Sequence, residues 1–434
     1  MGTDYIKEIE NSNVYDVAKV TPISFLNKIS SKYKNKIYLK REDLQPIFSF
    51  KCRGAYNKIS NLSDDQKSRG IIAASAGNHA QGVAMSASKL KISAVIVMPT
   101  TTPSIKIESV KKFGVEVLLF GDSFDEAYEH ALKIAEEEKR IFIHPFNDPL
   151  VIAGQGTVAK EIVEQVENDP DIFFIPVGGG GLISGMSLYL KQKYPNSKVF
   201  GVESEDAPTL FASMKNGKPT SLEQVGLFVD GCAVKRIGDE TFRISNQYVD
   251  GVILVSIDET CAAIKDIYED TRIMSEPAGA LSVAGMKKYI LENKINGKNV
   301  YVVNSGANLN FDRLRHVTER AEVGEGKELL LSVNIPEVSG SFRSFCEVIG
   351  RRSISEFNYR YANESTANVF VGIKTDNISE DSRKIFEDLN SKNYKYIDLT
   401  MDEVAKLHLR YMVGGKPKSD INEKLFRFEF PEKP

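Results

Sequence analysis

Short apolar runs alternate with longer segments of helical periodicity between Ile37 and Val303. Apolar runs of this length between amphipathic helices are typical of a parallel sheet that helices cover on both faces. The sequence therefore predicts an α/β fold. The predicted strands are residues 37–40, 71–74, 93–98, 115–120, 141–144, 172–177, 199–202, 252–255 and 300–303, and the predicted helices are 79–90, 105–113, 123–139, 153–165 and one from about Leu182.

Unusual loops follow several of these strands. Residues 75–81, 178–181 and 305–308 come directly after predicted strands, and a loop around Lys51 follows strand 37–40 after a longer connection. Because the carboxyl ends of parallel strands share one edge of a sheet, where ligands bind, we expect these four loops to converge on one site.

The loop around Lys51 places one lysine among apolar neighbours, just after a charged run at residues 40–43. Phe48 and Phe50 precede this lysine, Cys52 follows it, and a helix is predicted from Gly54. Most lysines are solvated surface cations. Here partial removal from water disfavours the charged form and leaves a nucleophilic amine, which suits a Schiff base with an aldehyde cofactor.

Four consecutive glycines, Gly178–Gly181, stand between a predicted strand and the helix that begins near Leu182. Glycines let the backbone approach an anion closely, and free amides at a helix start bind phosphate. A tight strand–helix turn is the alternative, but four glycines cost backbone entropy that a plain turn does not require. The run predicts a phosphate site, for a nucleotide or for pyridoxal phosphate.

A second glycine pattern, at residues 154–159, matches the dinucleotide fingerprint G-x-G-x-x-A. It does not follow a strand, because residues 147–149 interrupt the chain and a helical pattern already covers residues 152–162. The acid at the appropriate distance, Asp171, starts the next strand and does not end it. We therefore interpret these glycines as helix-packing positions.

Residues 75–82 offer a hydroxyl, an amide, an imidazole and backbone amides at a helix start. A helix cap at Ser75 or Asn78 explains one polar residue but not four together. The carboxylate of an amino acid fits a helix start, and Asn78 is a donor for a phenolic oxygen on a cofactor ring. His79 alone is more often structural than catalytic.

The loop at residues 304–308 ends a predicted strand and favours a turn by its composition. The functional interpretation sets the Ser305 hydroxyl against a pyridine nitrogen. A hydroxyl leaves that ring largely neutral, and the weaker electron sink suits elimination at Cβ more than transamination.

Length and composition fit these expectations. The 434 residues predict two or three domains, and 42% apolar and 26% charged residues are typical of globular proteins. A net charge of −3 favours neither a nucleic-acid nor a membrane partner, and no apolar run reaches 18 residues. A polar N-terminus and four scattered cysteines predict a cytoplasmic protein with reduced thiols and no structural zinc.

Five motifs in this order resemble the pyridoxal-phosphate enzymes of the tryptophan-synthase-β fold type, fold type II, and among them the biosynthetic threonine deaminases. The resemblance extends roughly from Val14 to Arg320. It implies a catalytic part with parallel sheets. The motifs are Ser-Phe-Lys-Cys-Arg-Gly-Ala from Ser49, Ser-Ala-Gly-Asn-His-Ala-Gln-Gly from Ser75, Gly-Gly-Gly-Gly-Leu from Gly178, Ser-Glu-Pro-Ala-Gly-Ala from Ser275 and Ser-Gly-Ala-Asn from Ser305.

The resemblance implies a role for each motif. Lys51 forms the Schiff base with pyridoxal 5'-phosphate, Asn78 contacts the ring hydroxyl, and Ser305 lies at the ring nitrogen. Cys52 replaces a usual apolar residue and packs as a small hydrophobe. The implied cofactor-binding residues are Lys51, Phe50, Asn78, Gly178, Gly179, Gly180, Gly181, Leu182 and Ser305, and the implied substrate-binding residues are Ser75, Gly77, Asn78, His79 and Gln81.

The implied reaction is the deamination of L-threonine to 2-oxobutanoate and ammonia in isoleucine biosynthesis, with Lys51 removing the Cα proton. Relatives that bind a divalent metal carry two acids after a strand like 199–202. This chain has Glu203 but no acid at residues 207–209, so we expect no metal. A serine-directed dehydratase or racemase shares every cofactor motif and stays the alternative.

Residues beyond about Val323 follow the order strand, helix, strand, strand, helix, strand, which is the ferredoxin-like arrangement. This part resembles the ACT-like regulatory domain of threonine deaminases. It implies feedback inhibition by isoleucine, opposed by valine, and the family implies a homotetramer. Candidate effector residues are Glu356, Asn358, Tyr359 and Arg360.

The predicted domains are residues 1–322 for catalysis, 323–328 as linker, 329–412 as the ACT-like domain, and 413–434 as the start of a second such unit. Residues 425–432 repeat the pattern of residues 329–337, a strand ending in Pro-Glu. We expect the second unit to be cut short, with an unpaired, association-prone edge and impaired regulation; a short strand that pairs with the first unit is the alternative.

Overall fold

The computed structural model describes residues 3–324, 328–361, 365–375 and 378–402. These residues form two compact units that divide after Arg313. None of the described helices is long and apolar enough to cross a membrane.

The first unit alternates helices with short strands, as the apolar pattern predicted. Its elements in chain order are α1 (Tyr5–Glu10), β1 (Ile23–Phe25), α2 (Asn27–Tyr33), β2 (Lys36–Arg41), α3 (Lys51–Ser60), α4 (Asp64–Arg69), β3 (Ile71–Ala74), α5 (Asn78–Leu90), β4 (Ala94–Met98), α6 (Ser104–Lys111), β5 (Glu116–Leu119), α7 (Phe124–Glu137), β6 (Ile141–Phe142), α8 (Pro149–Gln165), β7 (Ile172–Pro176), α9 (Gly181–Lys193), β8 (Lys198–Ser204), α10 (Thr209–Asn216), α11 (Asp239–Tyr248), β9 (Gly251–Val255), α12 (Ile257–Thr271), α13 (Pro277–Asn293) and β10 (Asn299–Asn304).

These strands form two sheets where the pattern predicted one. The larger sheet has the order β1-β2-β10-β7-β8-β9, and all its neighbours are parallel except β1 and β2. The smaller sheet has the order β5-β4-β3-β6 and is parallel throughout. The sequence pattern could not separate the sheets, because both consist of similar short apolar strands.

The interior helices pack closely at the glycines that match the dinucleotide fingerprint. Gly154 and Gly156 lie inside α8. A Cβ on Gly154 would lie 2.7 Å from the Cα of Gly54 in α3, and one on Gly156 would lie 2.5 Å from Cδ1 of Ile9. Their interpretation as helix-packing positions is therefore confirmed.

The second unit has the predicted ferredoxin-like order. An N-terminal helix, α14 (Leu314–Gly324), precedes a sheet with the order β12-β13-β11-β14, in which all neighbours are antiparallel. Helix–sheet packing buries one face of this sheet. The elements are β11 (Glu328–Pro336), α15 (Ser341–Ile349), β12 (Ile354–Tyr361), β13 (Thr366–Lys374), α16 (Ile378–Ser391) and β14 (Lys395–Asp398).

The predicted domain limits stay predictions. In the structure, α14 ends at Gly324 and β11 begins at Glu328. The predicted second regulatory unit, residues 413–434, lies outside the described residues.

Candidate active site

Lys51 is the first residue of α3. The prediction that it lies in a loop before a helix starting at Gly54 was therefore wrong. Its amine donates a hydrogen bond to the Pro145 carbonyl (3.2 Å) and lies 5.3 Å from the centroid of the Phe50 ring. Desolvation lowers the pKa of Lys51 to about 8. The expectation of a partly desolvated, nucleophilic amine is thus met.

Four buried charged side chains fix the helix that carries Lys51. We name Lys40, Glu42, Arg53 and Glu161 the charge quartet; all four side chains are fully buried. Glu161 accepts from Arg53 and from Lys40, each at 2.6 Å, and Glu42 accepts twice from Arg53 at 2.8 Å. The quartet joins α3 to β2 and α8 with no net charge.

The glycine run forms the turn from β7 into α9. Gly180 has φ of +90°, a conformation that favours glycine. Gly179, Gly180, Gly181 and Leu182 are buried, and their amides donate to no other group in the described part of the chain. Because buried amides require an acceptor, these donors fit an anion at the start of α9.

Close neighbours also require glycine in this run. A Cβ on Gly179 would lie 2.1 Å from the Phe146 ring, and one on Gly178 would lie 3.0 Å from the Cα of Cys232. Close approach to an anion is one reason for the glycines. Packing against Phe146 is a second reason, and it has no signal in the sequence.

The glycine run, Lys51 and Ser305 meet in one place. Pro145, which accepts from the Lys51 amine, is followed by Phe146, which packs on Gly179. The amide of Phe50 donates to the Ser305 carbonyl (3.2 Å). Three of the loops predicted to converge are therefore in contact through one or two residues.

Ser305 is buried at the end of β10. Its hydroxyl makes no hydrogen bond to the protein residues that the structure describes. A hydroxyl without a described protein partner, on the residue whose carbonyl accepts from the Phe50 amide, fits the predicted partner of a ring nitrogen.

The start of α5 carries the predicted substrate residues. Gly77, and not Ser75 or Asn78, is its N-cap, and no side chain caps it, so the helix-cap interpretation was wrong. The Ser75 hydroxyl accepts from the Gly77 amide (3.2 Å). Gln81 is buried one turn into α5.

His79 has a structural contact. Its Nε2 donates to the Ile143 carbonyl at 2.9 Å, since a carbonyl only accepts. Burial lowers the pKa of His79 to about 3, so the ring is neutral. This contact agrees with the prediction that His79 alone is more often structural.

Asn78 is held by two residues that the sequence analysis did not assign. Its Nδ2 donates to Oε1 of Glu276 (2.7 Å), and its Oδ1 accepts from Nδ2 of Asn308 (2.6 Å). Glu276 belongs to the fourth motif and Asn308 to the fifth, and the resemblance implies no role for either residue. Both residues are far from Asn78 along the chain, so nothing in the sequence indicates these contacts.

His144 and Phe146 form a further wall near Lys51. Nδ1 of His144 accepts from the amides of Phe146 (3.3 Å) and Asn147 (2.9 Å). This turn explains why β6 ends at Phe142 and not at His144 as predicted. Burial lowers the pKa of His144 to about 4, so this imidazole is also neutral.

Glu203 occupies the position of the first acid in metal-binding relatives. Its carboxylate accepts from Thr209 Oγ1 (3.0 Å) and from the amides of Leu210 (2.7 Å) and Phe211 (2.9 Å). It therefore caps α10 through its side chain. In the ranges that the structure covers, no three or more His, Cys, Asp or Glu side chains converge as metal ligands.

The donor set fits pyridoxal phosphate. A low-pKa amine suits the aldehyde, free amides at a helix start suit the phosphate, and a free hydroxyl and an amide suit the ring. All of these groups come from the loops that the resemblance singled out.

Comparison with known proteins shows which family this chain belongs to. A model of pyridoxal-phosphate-dependent enzymes matches residues 14–306, and a model of the C-terminal regulatory domain of threonine dehydratase matches residues 319–409. The biosynthetic L-threonine dehydratase of Pasteurella multocida is 52% identical over 99% of this chain and 84% of its own length. The chain belongs to the threonine dehydratase family.

Other threonine dehydratases are also similar to this chain in sequence and in structure. The biosynthetic enzyme of Escherichia coli is 49% identical over 100% of this chain and 84% of its own length. The structure of the processed form of threonine deaminase isoform 2 from Solanum lycopersicum has a TM-score of 0.72 at 46% identity, over 74% of this chain and 94% of that one. Serine racemase from Dictyostelium discoideum has a TM-score of 0.66 at 32% identity, over 70% and 99%.

Membership of this family confirms the predicted fold type, the cofactor and the lyase class. The cofactor is therefore pyridoxal phosphate and not a nucleotide. The individual residue assignments stay predictions, supported by the geometry above.

The four predicted effector residues belong to β12, and those that the structure describes lie on both faces of the sheet in the second unit. Asn358 pairs with Phe370, whereas Tyr359 pairs with Val369, and Val369 belongs to the helix-covered core. Glu356 shares the open face with Asn358 and accepts from its Nδ2 (3.1 Å). Tyr359 faces the other way, and the side chain of Arg360 lies outside the described part of the structure.

Proposed function

We propose that this chain deaminates L-threonine to 2-oxobutanoate and ammonia, the first step of isoleucine biosynthesis. The observation that carries the proposal is about 50% identity to biosynthetic threonine dehydratases along both the catalytic and the regulatory part. Lys51, the free amides at α9 and Ser305 supply the groups that this chemistry requires.

Different residues bind the phosphate, remove the proton from Cα and exclude water. Bound pyridoxal phosphate supplies the electron sink for the pair left when the Cα–H bond breaks. Gly179, Gly180, Gly181 and Leu182 hold the phosphate, with Gly178 at the start of the run. The neutral Lys51 amine takes the proton from Cα of threonine, and Phe50 and His144 keep water from its surroundings.

Leaving-group chemistry completes the reaction. The β-hydroxyl of threonine departs as water, and hydrolysis of the released enamine adds one water back and frees ammonia. Ser305 leaves the ring nitrogen without a formal charge, which suits elimination at Cβ. The amide of Asn78, with the side chains of Ser75 and Gln81 nearby, provides the place for the substrate carboxylate, while the Gly77 amide donates to the Ser75 hydroxyl. The imidazole of His79 supports the Ile143 carbonyl.

Borohydride trapping and turnover test this proposal. Reduction of the holoenzyme should fix the cofactor on the peptide that contains Lys51, and Lys51→Ala should fold but lose 2-oxobutanoate formation. Lys58→Ala is the matched control, because Lys58 lies on the same helix and pairs with Asp148 at 2.7 Å. Retained turnover in Lys51→Ala would remove Lys51 from the mechanism.

A serine-directed dehydratase or racemase is the second candidate. The likeness to serine racemase from Dictyostelium discoideum supports it. Comparing kcat/KM for L-threonine and L-serine, with a chiral assay for D-serine, decides between the two.

We further propose feedback inhibition by isoleucine, opposed by valine, through the second unit. The match to a threonine dehydratase regulatory domain supports this. The open sheet face with Glu356 and Asn358 is the more suitable place for a polar effector group. Initial rates against threonine, with and without each amino acid, test the proposal; rates that neither amino acid changes would refute it.

Two properties of the whole protein belong to the same proposal. Family membership supports a homotetramer, which light scattering after size-exclusion chromatography checks. The four cysteines are free, which supports a reducing compartment such as the cytoplasm.

A further inference from the structure

Asn78, Glu276 and Asn308 form a closed ring of hydrogen bonds, which we name the amide–carboxylate ring. Asn78 Nδ2 donates to Glu276 Oε1 (2.7 Å), the Asn308 amide N–H donates to Glu276 Oε2 (3.0 Å), and Asn308 Nδ2 donates to Asn78 Oδ1 (2.6 Å). The ring brings together α5, the residue before α13 and the loop after β10.

The ring fixes which end of the Asn78 amide is the donor. Asn308 Nδ2 also donates to the Ile47 carbonyl (2.8 Å), so the orientation of the Asn308 amide is set. Rotating the Asn78 amide by 180° would place two NH₂ groups against each other and two oxygens against each other. With an ionised Glu276, the rotated form therefore loses two hydrogen bonds.

The fixed orientation leaves one N–H of Asn78 without a protein partner among the described residues. Asn78 is half-buried and is the first residue of α5, at the predicted carboxylate site. A single N–H of known direction is the group that an oxygen on the cofactor ring requires.

We propose that Glu276 is a positioning residue that, through the amide–carboxylate ring, holds the Asn78 N–H toward the ring oxygen of pyridoxal phosphate. This inference rests on the proposed function, because it assumes that Asn78 contacts the cofactor.

The surroundings of Glu276 pin its carboxylate in place. Glu276 is only 4% exposed, and a Cβ on Gly306 would lie 2.6 Å from its Oε1. Burial, helped by Asp230, raises the pKa of Glu276 to about 7, while the hydrogen bonds from Asn78 and Asn308 and the charge of Lys106 oppose that rise. Lys51 and Cys232 also face it. Protonation near neutral pH thus removes one acceptor and loosens the ring.

A double-mutant cycle tests the inference. The dissociation constant of pyridoxal phosphate and the visible absorption band of the bound cofactor are measured for wild type, Asn78→Ala, Glu276→Gln and the double variant. Losing a hydrogen bond that involves a charged group should raise the dissociation constant about tenfold or more in either single variant. The double variant should match Asn78→Ala, because Glu276 acts through Asn78.

The pH profile gives a readout that general destabilisation does not move. In wild type, cofactor affinity should fall more steeply as the pH drops below about 7 than in Glu276→Gln, because in the variant only Lys51, with its pKa of about 8, still titrates in this range. Glu203→Gln is the matched control, since Glu203 is also buried with its pKa raised to about 7 but contacts α10 instead of Asn78. Its effect should be the same with and without Asn78→Ala.

Three outcomes overturn the inference: an unchanged dissociation constant in Glu276→Gln, effects that add in the double variant, or the same pH profile in both proteins. Should Glu276→Gln not fold, Asn308→Ala opens the same ring and should raise the dissociation constant in the same non-additive way. Wild type serves as the reference for the proposed function: if it neither binds pyridoxal phosphate nor consumes threonine, the function fails and not the ring.

Discussion

Replacing Glu161 by glutamine should destabilise the first unit strongly. Glu161 is fully buried and accepts from two cations, Lys40 and Arg53, at 2.6 Å each, and from the Thr21 amide at 3.1 Å. Glutamine keeps the shape but leaves the charge quartet with two cations and one carboxylate. An uncompensated buried charge costs about 3–5 kcal/mol.

The magnitude converts into a measurable shift. The first unit spans residues 1–313. At about 2.1 cal/mol/K of unfolding entropy per residue, each kcal/mol shifts its melting temperature by about 1.5 °C, so a loss of about 3–5 kcal/mol lowers the melting temperature by about 5–8 °C. Thermal and urea unfolding of the cofactor-free protein, followed by circular dichroism, measure it. Glu138→Gln is the control, because Glu138 pairs with Arg140 at the same 2.6 Å but is 54% exposed and should cost less than about 1 kcal/mol.

A second substitution separates charge balance from lost contacts. Lys40→Met together with Glu161→Gln restores neutrality, with Arg53 facing Glu42. The double variant should therefore be at least as stable as Glu161→Gln alone. The reasoning is refuted if Glu161→Gln costs no more than Glu138→Gln, or if the two substitutions in the quartet simply add.

Three further outcomes are expected. Gly179→Ala should abolish cofactor binding and cost about 1–3 kcal/mol through overpacking, since its Cβ would lie 2.1 Å from Phe146, whereas Gly77→Ala, with nothing within 4 Å, should unfold like wild type in urea. The pKa of Glu276 is raised from 4.5 to about 7 in the folded protein, so its contribution to stability is complete below the unfolded pKa and is lost as the pH rises through 7. Cofactor-free wild type should therefore lose stability relative to Glu276→Gln between about pH 5 and pH 8. Urea midpoints of the two proteins that change in parallel with pH would contradict this. Capture of the cofactor by Lys51, with its pKa near 8, should accelerate about tenfold between pH 7 and pH 9 and then level off, as the neutral fraction of the amine saturates; stopped-flow rates that keep rising above pH 9 would indicate an ordinary solvated lysine.

Part of the fold could be predicted from the local pattern of apolar and polar residues. The strand at residues 71–74 was predicted with its observed bounds, because an apolar run between Gly70 and Ser75 has few alternatives. The order of strands and helices in the second unit was also predicted correctly. The start of α3 was not, because Phe50 is its N-cap without a capping side chain, so nothing in the sequence marks Lys51 as helical.

The part of the site that could not be predicted from the sequence depends on contacts between residues far apart in the chain. The charged run at residues 40–43 would ordinarily be expected on a solvated surface, yet all four residues are buried, since Arg53 and Glu161 reach Glu42 and Lys40 from other elements. Glu276 stayed without a role for the same reason: its partner Asn78 lies 198 residues earlier. Motifs located the loops, but only the fold shows which side chains hold one another.

The aromatic ring of Phe146 fills the space that side chains on Gly179 would need, and this ties the two positions together in any redesign or drift of the protein. Residue 179 cannot be enlarged first, because its Cβ would overlap the Phe146 ring. Replacing Phe146 by a smaller residue first would leave a void next to Gly179. Tolerated change has to come as a matched exchange, Gly179→Ala with a smaller residue in place of Phe146. Libraries that vary one codon at a time will not find it.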